Sequence, residues 1–497
     1  MAGTTLVGTV ERMTQTPPLP RTSRIPRWLR VACWIFLGIS AIPVGWHLTW
    51  RIGNARAQTR CEGEIRQRGH PLTLEELAAS HPPIPADRNA AEALMDLWEK
   101  DDPKLWRAFR AGASSLPERS TAEWDPALPF LGAKKTEISR SAALDPESRR
   151  AADTLVRNSA KRFAELQASL ARPDCRFPVI ITNGFAALLP NLTAAKQEAL
   201  RLRVMATLAT DEGRIDQAIT AMSATTQLAR HLTREPILIN QLVSVALLQG
   251  VLDDASRLLS RRALTASDLA ALEAVIRRAE RHGALEKAVV SEIPMGMSVF
   301  NMSSHEFARL ISTEGEPAPS EAGVKAVMFF LDAIGWKSAD RRLYIETLLK
   351  LSRLATDASP NAVQEFQQVV DGAAAKAKQF PQRLITGMFL PALGKVPNKI
   401  LALDARRRAA MVALAVERHR LANGGRPPES LAAVSAELLP TIPSDPFDSQ
   451  PLRYRRLGQG YVIYAVGQDL RDNDGKEWPK NWTDKTVGHD ETFFVER

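Results

Sequence analysis

The sequence predicts a mainly α fold: stacked helical hairpins behind one N-terminal transmembrane helix, closed by a small C-terminal α+β module. Three observations carry this. Val31–Trp50 is a run of 20 residues without a formal charge. From about 150 to 285, apolar residues recur at helical spacing between short turns. After Asn423-Gly424-Gly425 the texture changes to short alternating strands and holds three of the four tyrosines, Tyr454, Tyr461 and Tyr464.

Composition sets the bounds. The 497 residues are 45% hydrophobic, enough for two or three domains with a real core. Against 56 acids stand 65 Lys and Arg, a net charge of +9 without any Lys/Arg run of five or more. That excess is a weak bias towards anionic surfaces such as lipid headgroups. It gives no concentrated basic face of the kind nucleic acid needs. The expected order is a disordered, Thr- and Pro-rich segment over 1–27, a transmembrane helix over 28–50, a helical body over 51–398 and the α+β module over 399–497.

The span comes first. Twenty residues at about 1.5 Å each cover roughly 30 Å, the thickness of a bilayer core. Trp28, Trp34, Trp46 and Trp50 lie towards its two ends, where indole rings favour the interface. Arg21, Arg24, Arg27 and Arg30 precede it, while Arg51, Arg56 and Arg60 follow it. The leading cluster is denser and free of acids, which favours the N-terminus inside and the body outside a cytoplasmic membrane. The competing reading is a cleaved signal peptide ending at Ala55-Arg56-Ala57, but the apolar run exceeds a signal core of about 7–15 residues. Pro43 and His47 read as a kink and an interfacial imidazole, or as functional groups. Cys33 sits in the span. Cys61 and Cys175 would share an oxidising compartment and form a disulfide, or remain free thiols.

The body follows. Thr73 with Glu76 is a capping-box pattern opening a helix, and "HPPIP" then imposes an extended link. Helix resumes over 90–100 with Ala93, Leu94, Leu97 and Trp98 on one side. Ile215, Ala218, Ile219, Met222, Ala229 and Leu232 form one apolar stripe. Leu238, Leu242, Val245, Leu252, Ala255 and Leu259 form the next. Thr265 caps another helix, with Asp268 at its third position. Short turns at Gly213, Pro236 and Arg261–Leu264 make these helices antiparallel neighbours. "STEGEPAPSEAG" reads as an exposed loop. Helices resume beyond it and lead to a long one over 400–422.

In the module, "PLRYRRL" and "GYVIYAV" flank Gly458-Gln459-Gly460, which predicts a hairpin. The second strand runs into Asp469, Asp472, Asn473 and Asp474. Closely spaced hard oxygens on a turn are what Ca²⁺ takes, six to eight at about 2.3–2.6 Å, so these four are the candidate metal ligands. The alternative is a solvated turn, because Asn473 and Gly475 suit one. No phosphate loop, dinucleotide fingerprint, zincin helix or nucleophile elbow occurs, and no catalytic residue is assigned. Glu75-Glu76 and Asp253-Asp254 read as solvated helix faces.

Two resemblances add to this. "EGRIDQAI", with Ala218 after it, resembles the turn of a tetratricopeptide repeat, which implies a hairpin stack with a partner-binding concave face. The last 95 or so residues resemble the globular half of the major pseudopilin of type II secretion. The matching residues are Asn423-Gly424, Pro427, Leu431, Pro443, Asp445, Pro446, Phe447, Pro451, Tyr454, Tyr461, Tyr464, Gly467 and Asp469. That resemblance implies a calcium role for Asp469, Asp472 and Asp474. The chain lacks the pseudopilin leader and early Glu, and its apolar run ends about 350 residues before the module. As a whole it resembles a group of bacterial membrane-anchored helical proteins with a pseudopilin-like tail, a likeness that brings no activity. "CRFPVIITNGFAALLPNL" and "ARHLTREPILINQLV" also resemble that group.

The expected function is a membrane-anchored, non-catalytic envelope protein that scaffolds or binds a protein partner through the hairpin stack. The alternatives are a metal-dependent hydrolase built on Asp469, Asp472 and Asp474, and an accessory of a secretion or pilus-like system.

Overall fold

The computed structural model describes residues 27–118, 124–134, 138–281, 283–303, 305–307, 320–333, 335–357, 359–379, 383–477 and 488–497. The expected disordered segment, except for Arg27, and most of the "STEGEPAPSEAG" loop lie outside these residues. The chain divides into two units, Met1–Gly53 and Asn54–Arg497.

In the first unit every described residue belongs to α1 (Arg27–Gln67). Helix therefore forms where the apolar run predicts it. Among the described residues, however, no helix is long and apolar enough to cross a membrane. The side chains of Cys33, residues 37–40 and Pro43 lie outside the described ones, and beyond Trp50 the helix turns charged, with Arg51, Arg56, Arg60, Glu62 and Glu64. What the described part presents is an exposed apolar surface: Trp28, Trp34, Phe36, Ile42 and Trp46 are each at least 70% exposed.

The second unit is mainly helical with one small sheet. Its helices are α2 (Leu74–Ala79), α3 (Ala90–Glu99), α4 (Pro103–Arg110), α5 (Pro146–Asn158), α6 (Ala160–Leu170), α7 (Pro190–Glu212), α8 (Ile215–Leu232), α9 (Leu238–Arg261), α10 (Ala266–Arg278) and α11 (Ala284–Val299). They continue as α12 (Glu321–Ala333), α13 (Trp336–Leu354), α14 (Pro360–Gln379), α15 (Leu384–Leu393) and α16 (Val396–Ala422).

Local chemistry sets most boundaries. Gly213, left-handed at φ 75°, ends α7 and lets α8 fold back on it. Thr265 and Asp268 close the reciprocal capping box of α10. At α2 only half of the predicted box forms. Thr73 Oγ1 accepts from the Glu76 amide at 3.2 Å, but Glu76 Oε2 reaches past the cap to the Leu72 amide at 2.7 Å.

The predicted stripes are the buried ones. Ala218, Met222, Ala229 and Leu232 of α8 and Val245, Leu252, Ala255 and Leu259 of α9 are almost fully buried, packed with α7 into antiparallel neighbours. Each such Leu contributes roughly 1.5–3 kcal/mol of transfer free energy. The same core continues through Trp98, Leu272 and Val416 into Tyr461, Ile463 and Phe493. The body and the C-terminal module are therefore distinct in texture but share one core. A second core gathers Ile65, Val289, Phe300, Tyr344, Leu348, Phe366 and Leu390 from α1, α11 and α13–α15.

The sheet has three antiparallel strands in the order β1-β2-β3: β1 (Arg453–Leu457), β2 (Gly460–Ala465) and β3 (Glu491–Val495). Leu457 faces Gly460 across a two-residue turn, with Gly458 at φ 62°. The hairpin is the predicted one. The strand β3 is not read from the sequence, because "ETFFV" is short and its partner lies 26 or more residues upstream in register Ala465↔Glu491. The helix α16 covers β2 and β3, and α9 also touches β3. Ser256 Oγ donates to the Phe494 carbonyl at 2.6 Å, and the Glu496 amide donates to Ser260 Oγ at 2.9 Å.

One close approach is set by a glycine. A Cβ on Gly296 of α11 would lie 2.2 Å from Cζ of Tyr344, whose fully buried ring donates its hydroxyl to the Glu292 carbonyl at 3.1 Å. Gly296→Ala is expected to cost about 1–3 kcal/mol in urea unfolding, because the ring has no free space to move into. Gly372 of α14 is open on all sides. Gly372→Ala is expected to stabilise by about 0.5–1 kcal/mol. Equal effects of the two changes would refute the steric argument.

Candidate functional site

The loop after β2 was the candidate metal centre, and the carboxylates of Asp469 and Asp472 are already engaged. Asp472 Oδ2 accepts from Arg453 Nε at 3.1 Å, and Asp472 Oδ1 accepts from the Asp474 amide at 3.0 Å. Asp469 Oδ1 accepts from the Arg471 amide at 3.1 Å, and Asp469 Oδ2 takes the Asn473 side-chain amide at 3.3 Å. Asp474 is exposed and occupies a left-handed position at φ 56°. A Cβ on Gly488 would collide with Asp469 and Asn473, so the returning chain closes over the turn.

The buried acid here is Asp490, which sequence reading missed. It receives the amides of Asn473 at 3.2 Å and Gly475 at 2.7 Å, while burial pushes its carboxyl up. Arg453 is the organiser on the other side, with Asp445 at 3.0 Å, Asp448 at 2.6 Å and Asp472 at 3.1 Å. Six to eight convergent oxygens are what Ca²⁺ demands. Here the carboxylates face a guanidinium and backbone amides, so the described donor set does not fit the ion. Among the described residues no group of three or more His, Cys, Asp or Glu is arranged to hold a metal. Asp469, Asp472, Asn473 and Asp474 are thus brought together on one turn, with Asp469, Asp472 and Asn473 hydrogen-bonded in it and Asp474 exposed.

Of the two readings left open for Cys61 and Cys175, the structure has the free thiols. Cys61 packs beside the second core and Cys175 sits in the first, so each is held in a different apolar environment. Burial holds the Cys175 thiol well above its usual range, which makes it inert.

Asp253-Asp254 is not a solvated face. Asp254 is buried 3.3 Å from Arg203 of α7, and burial pushes it up to about 7. Asp253 pairs with Arg406 of α16 at 2.6 Å, and Arg406 in turn donates to the Thr492 carbonyl of β3 at 3.2 Å. Arg203 also lies 4.3 Å over the Phe130 ring. These pairs join body and module. Glu75-Glu76 is likewise split, with Glu76 used as a cap and paired with Arg66 at 3.2 Å.

One open surface is a groove along the outer face of α8, walled by α6 and α10, with a volume of about 700 Å³. Its floor is short: Thr220, Ser223 and Ala224 from α8, Ala271 and Ala274 from α10. Small side chains leave room for an inserted segment. Arg230 and Arg278 stand in its wall, both exposed. Arginines in this chain commonly meet carboxylates, as Arg162, Arg201 and Arg407 do. Among the described residues Arg230 and Arg278 have no such partner. The sequence signal for the groove was the run of small residues at helical spacing on α8, but the unpaired cations could not be read without the packing.

No family model, no curated protein and no solved structure matches the chain.

Proposed function

We propose that this chain is a single-span, membrane-anchored protein whose helical hairpins bind an acidic segment of a partner protein, without catalysing a reaction. The observation that carries the reading is the groove on α8, with small residues along its floor and the unpaired Arg230 and Arg278 in its wall. A hairpin stack with a grooved face takes a partner helix or extended peptide by packing, and charge complementarity selects which one. The exposed indoles and alkyl groups of Trp28, Trp34, Phe36, Ile42 and Trp46 support an anchor in the cytoplasmic membrane, because so much apolar surface is costly in water. The Arg asymmetry favours a body on the outer side of that membrane.

A photo-crosslinking residue at Ser223 in intact membranes tests both halves. The expected result is a discrete crosslink to an Asp/Glu-rich segment, lost in the double variant Arg230→Glu and Arg278→Glu. A crosslink indifferent to that charge reversal, or recovery of the intact chain in the soluble fraction, would refute the reading.

A second reading rests on the long helix α16 packed over a three-stranded antiparallel sheet, beside the ordered pseudopilin-like residues. It makes the protein an accessory of a secretion or pilus-like system, in which case the crosslinked partner would belong to that machinery.

A further inference from the structure

A cleft of about 530 Å³ opens where the loop after α1, the loop after α2, the stretch 174–176, the α8–α9 turn and α11 meet. Its size is that of a small-molecule site. Two segments set apart in the sequence, beginning "CRF" at Cys175 and ending a helix with "TREP" at Thr233–Pro236, come together in its wall.

The cleft is rich in donors, and its Arg and Lys side chains outnumber its acids. Arg176, Arg234 and Lys287 line it, and among the described residues none of them is in direct ion-pair contact with a carboxylate. Arg176 is half-buried, and among the described residues its side chain makes no hydrogen bond; burial lowers its affinity for the proton, and the nearby Glu235 carboxylate only partly offsets this. Two acids also line the cleft. Asp174 is taken by Arg88 at 2.7 Å. Glu235 is 2% exposed, and burial raises its carboxyl to about 7, so near neutral pH it is about half ionised and offsets part of the charge of Arg176. His70 and His81 complete the rim, both held towards the neutral form mainly by burial.

The walls are pre-organised. Glu235 Oε1 accepts from the Phe177 amide at 2.8 Å. Gln241 Nε2 donates to the Thr233 carbonyl at 3.3 Å, and its Oε1 is held by Arg281 at 2.8 Å. Asn89 clamps both backbone groups of Arg176, accepting from its amide at 2.8 Å and donating to its carbonyl at 2.9 Å. The guanidinium of Arg176 is thus presented from a fixed backbone.

We propose that this cleft binds the phosphate group of a small molecule, with Arg176, Arg234 and Lys287 as its ligands. Phosphate is favoured over a monocarboxylate because three cations from three separate elements surround one space. A dianion with three acceptor oxygens can engage all three, whereas a carboxylate has two oxygens and one charge. The site lies apart from the α8 groove and does not depend on it.

Calorimetric titration of the purified full chain with inorganic phosphate, and then with phenyl phosphate, at about 0.15 M NaCl tests it. One saturable site is expected, tighter for phenyl phosphate because the cleft also has apolar walls at Ile84, Pro236 and Val290. Arg176→Gln and Lys287→Gln are each expected to weaken binding about tenfold or more. Neither change breaks an ion pair, and a melting curve of each variant checks that it folds. Arg278→Gln, in the groove, should leave phosphate binding unchanged. Absence of saturable binding, unchanged affinity in both cleft variants, or equal competition by acetate would overturn the proposal.

Discussion

Asp211→Ala is expected to destabilise the protein by about 3–5 kcal/mol in urea unfolding followed by circular dichroism. Asp211 closes α7, and its side chain is fully buried. It accepts from Arg257 Nη2, lies 3.1 Å from Arg261 Nε, and receives the Leu144 amide at 2.7 Å. Truncation leaves the Arg257 guanidinium, only 4% exposed, without its counter-charge, and orphans a buried amide. The penalty comes mainly from the abandoned partners rather than from the pair itself. Asp211→Leu combined with Arg257→Met should recover the part of the loss due to Arg257, since an apolar pair needs no compensating charge, and leave the part due to the Leu144 amide and Arg261. A loss under about 1 kcal/mol for Asp211→Ala would mean that water reaches Arg257 and the site is not dry.

Stability is expected to fall as pH rises from 6.5 to 8. Glu235, Glu292 and Asp254 are buried carboxyls, each raised to about 7 by desolvation. A raised folded pKa means the native state holds the proton more tightly than the unfolded chain. The contribution is complete below the unfolded pKa, near 4, and is lost as pH climbs through 7. Between pH 6.5 and 8 each group should cost about 1 kcal/mol, or roughly 3 kcal/mol together. The histidines pull the other way only at lower pH. His70, His81 and His231 are depressed by burial, so their effect is finished once pH passes about 6.5. Carboxylates with lowered pKa, such as Asp253 and Glu273, act at the acid end. Glu292 isolates the effect, because desolvation is the sole cause of its shift. Glu292→Gln should flatten the pH profile by about a third and raise the melting temperature at pH 8 more than at pH 6.5. A profile that rises with pH over this window, or one unchanged by Glu292→Gln, would contradict the buried state of these acids.

Much of the helical body was legible from the order of residues. The stripes on α8 and α9 are the buried faces, Gly213 is the left-handed stop, and Thr265 with Asp268 is the cap. All three depend on interactions within about five residues, where spacing alone decides the geometry. The hairpin of β1 and β2 belongs to the same class, joined by its two-residue turn.

The sites were not legible in that way. Asp253-Asp254 and the 469–474 run look alike in the sequence, as acids on a polar stretch. One became an ion-paired clasp between α7, α9 and α16, and the other became a turn held by Arg453 and closed by Asp490. Whether Cys61 and Cys175 pair was open in the sequence, and they lie at separate cores. The difference in each case is the identity of the partner, supplied by residues tens to hundreds of positions away.

By itself the sequence determined the helices, their apolar faces, their caps and the hairpin, because local dihedral and hydrogen-bond preferences act over a few residues. The tertiary structure alone decided which charges are neutralised and which are left facing open space. Burial and ion pairing depend on distances that only the packed chain sets, so Arg230, Arg278, Arg176 and Lys287 stand out only there.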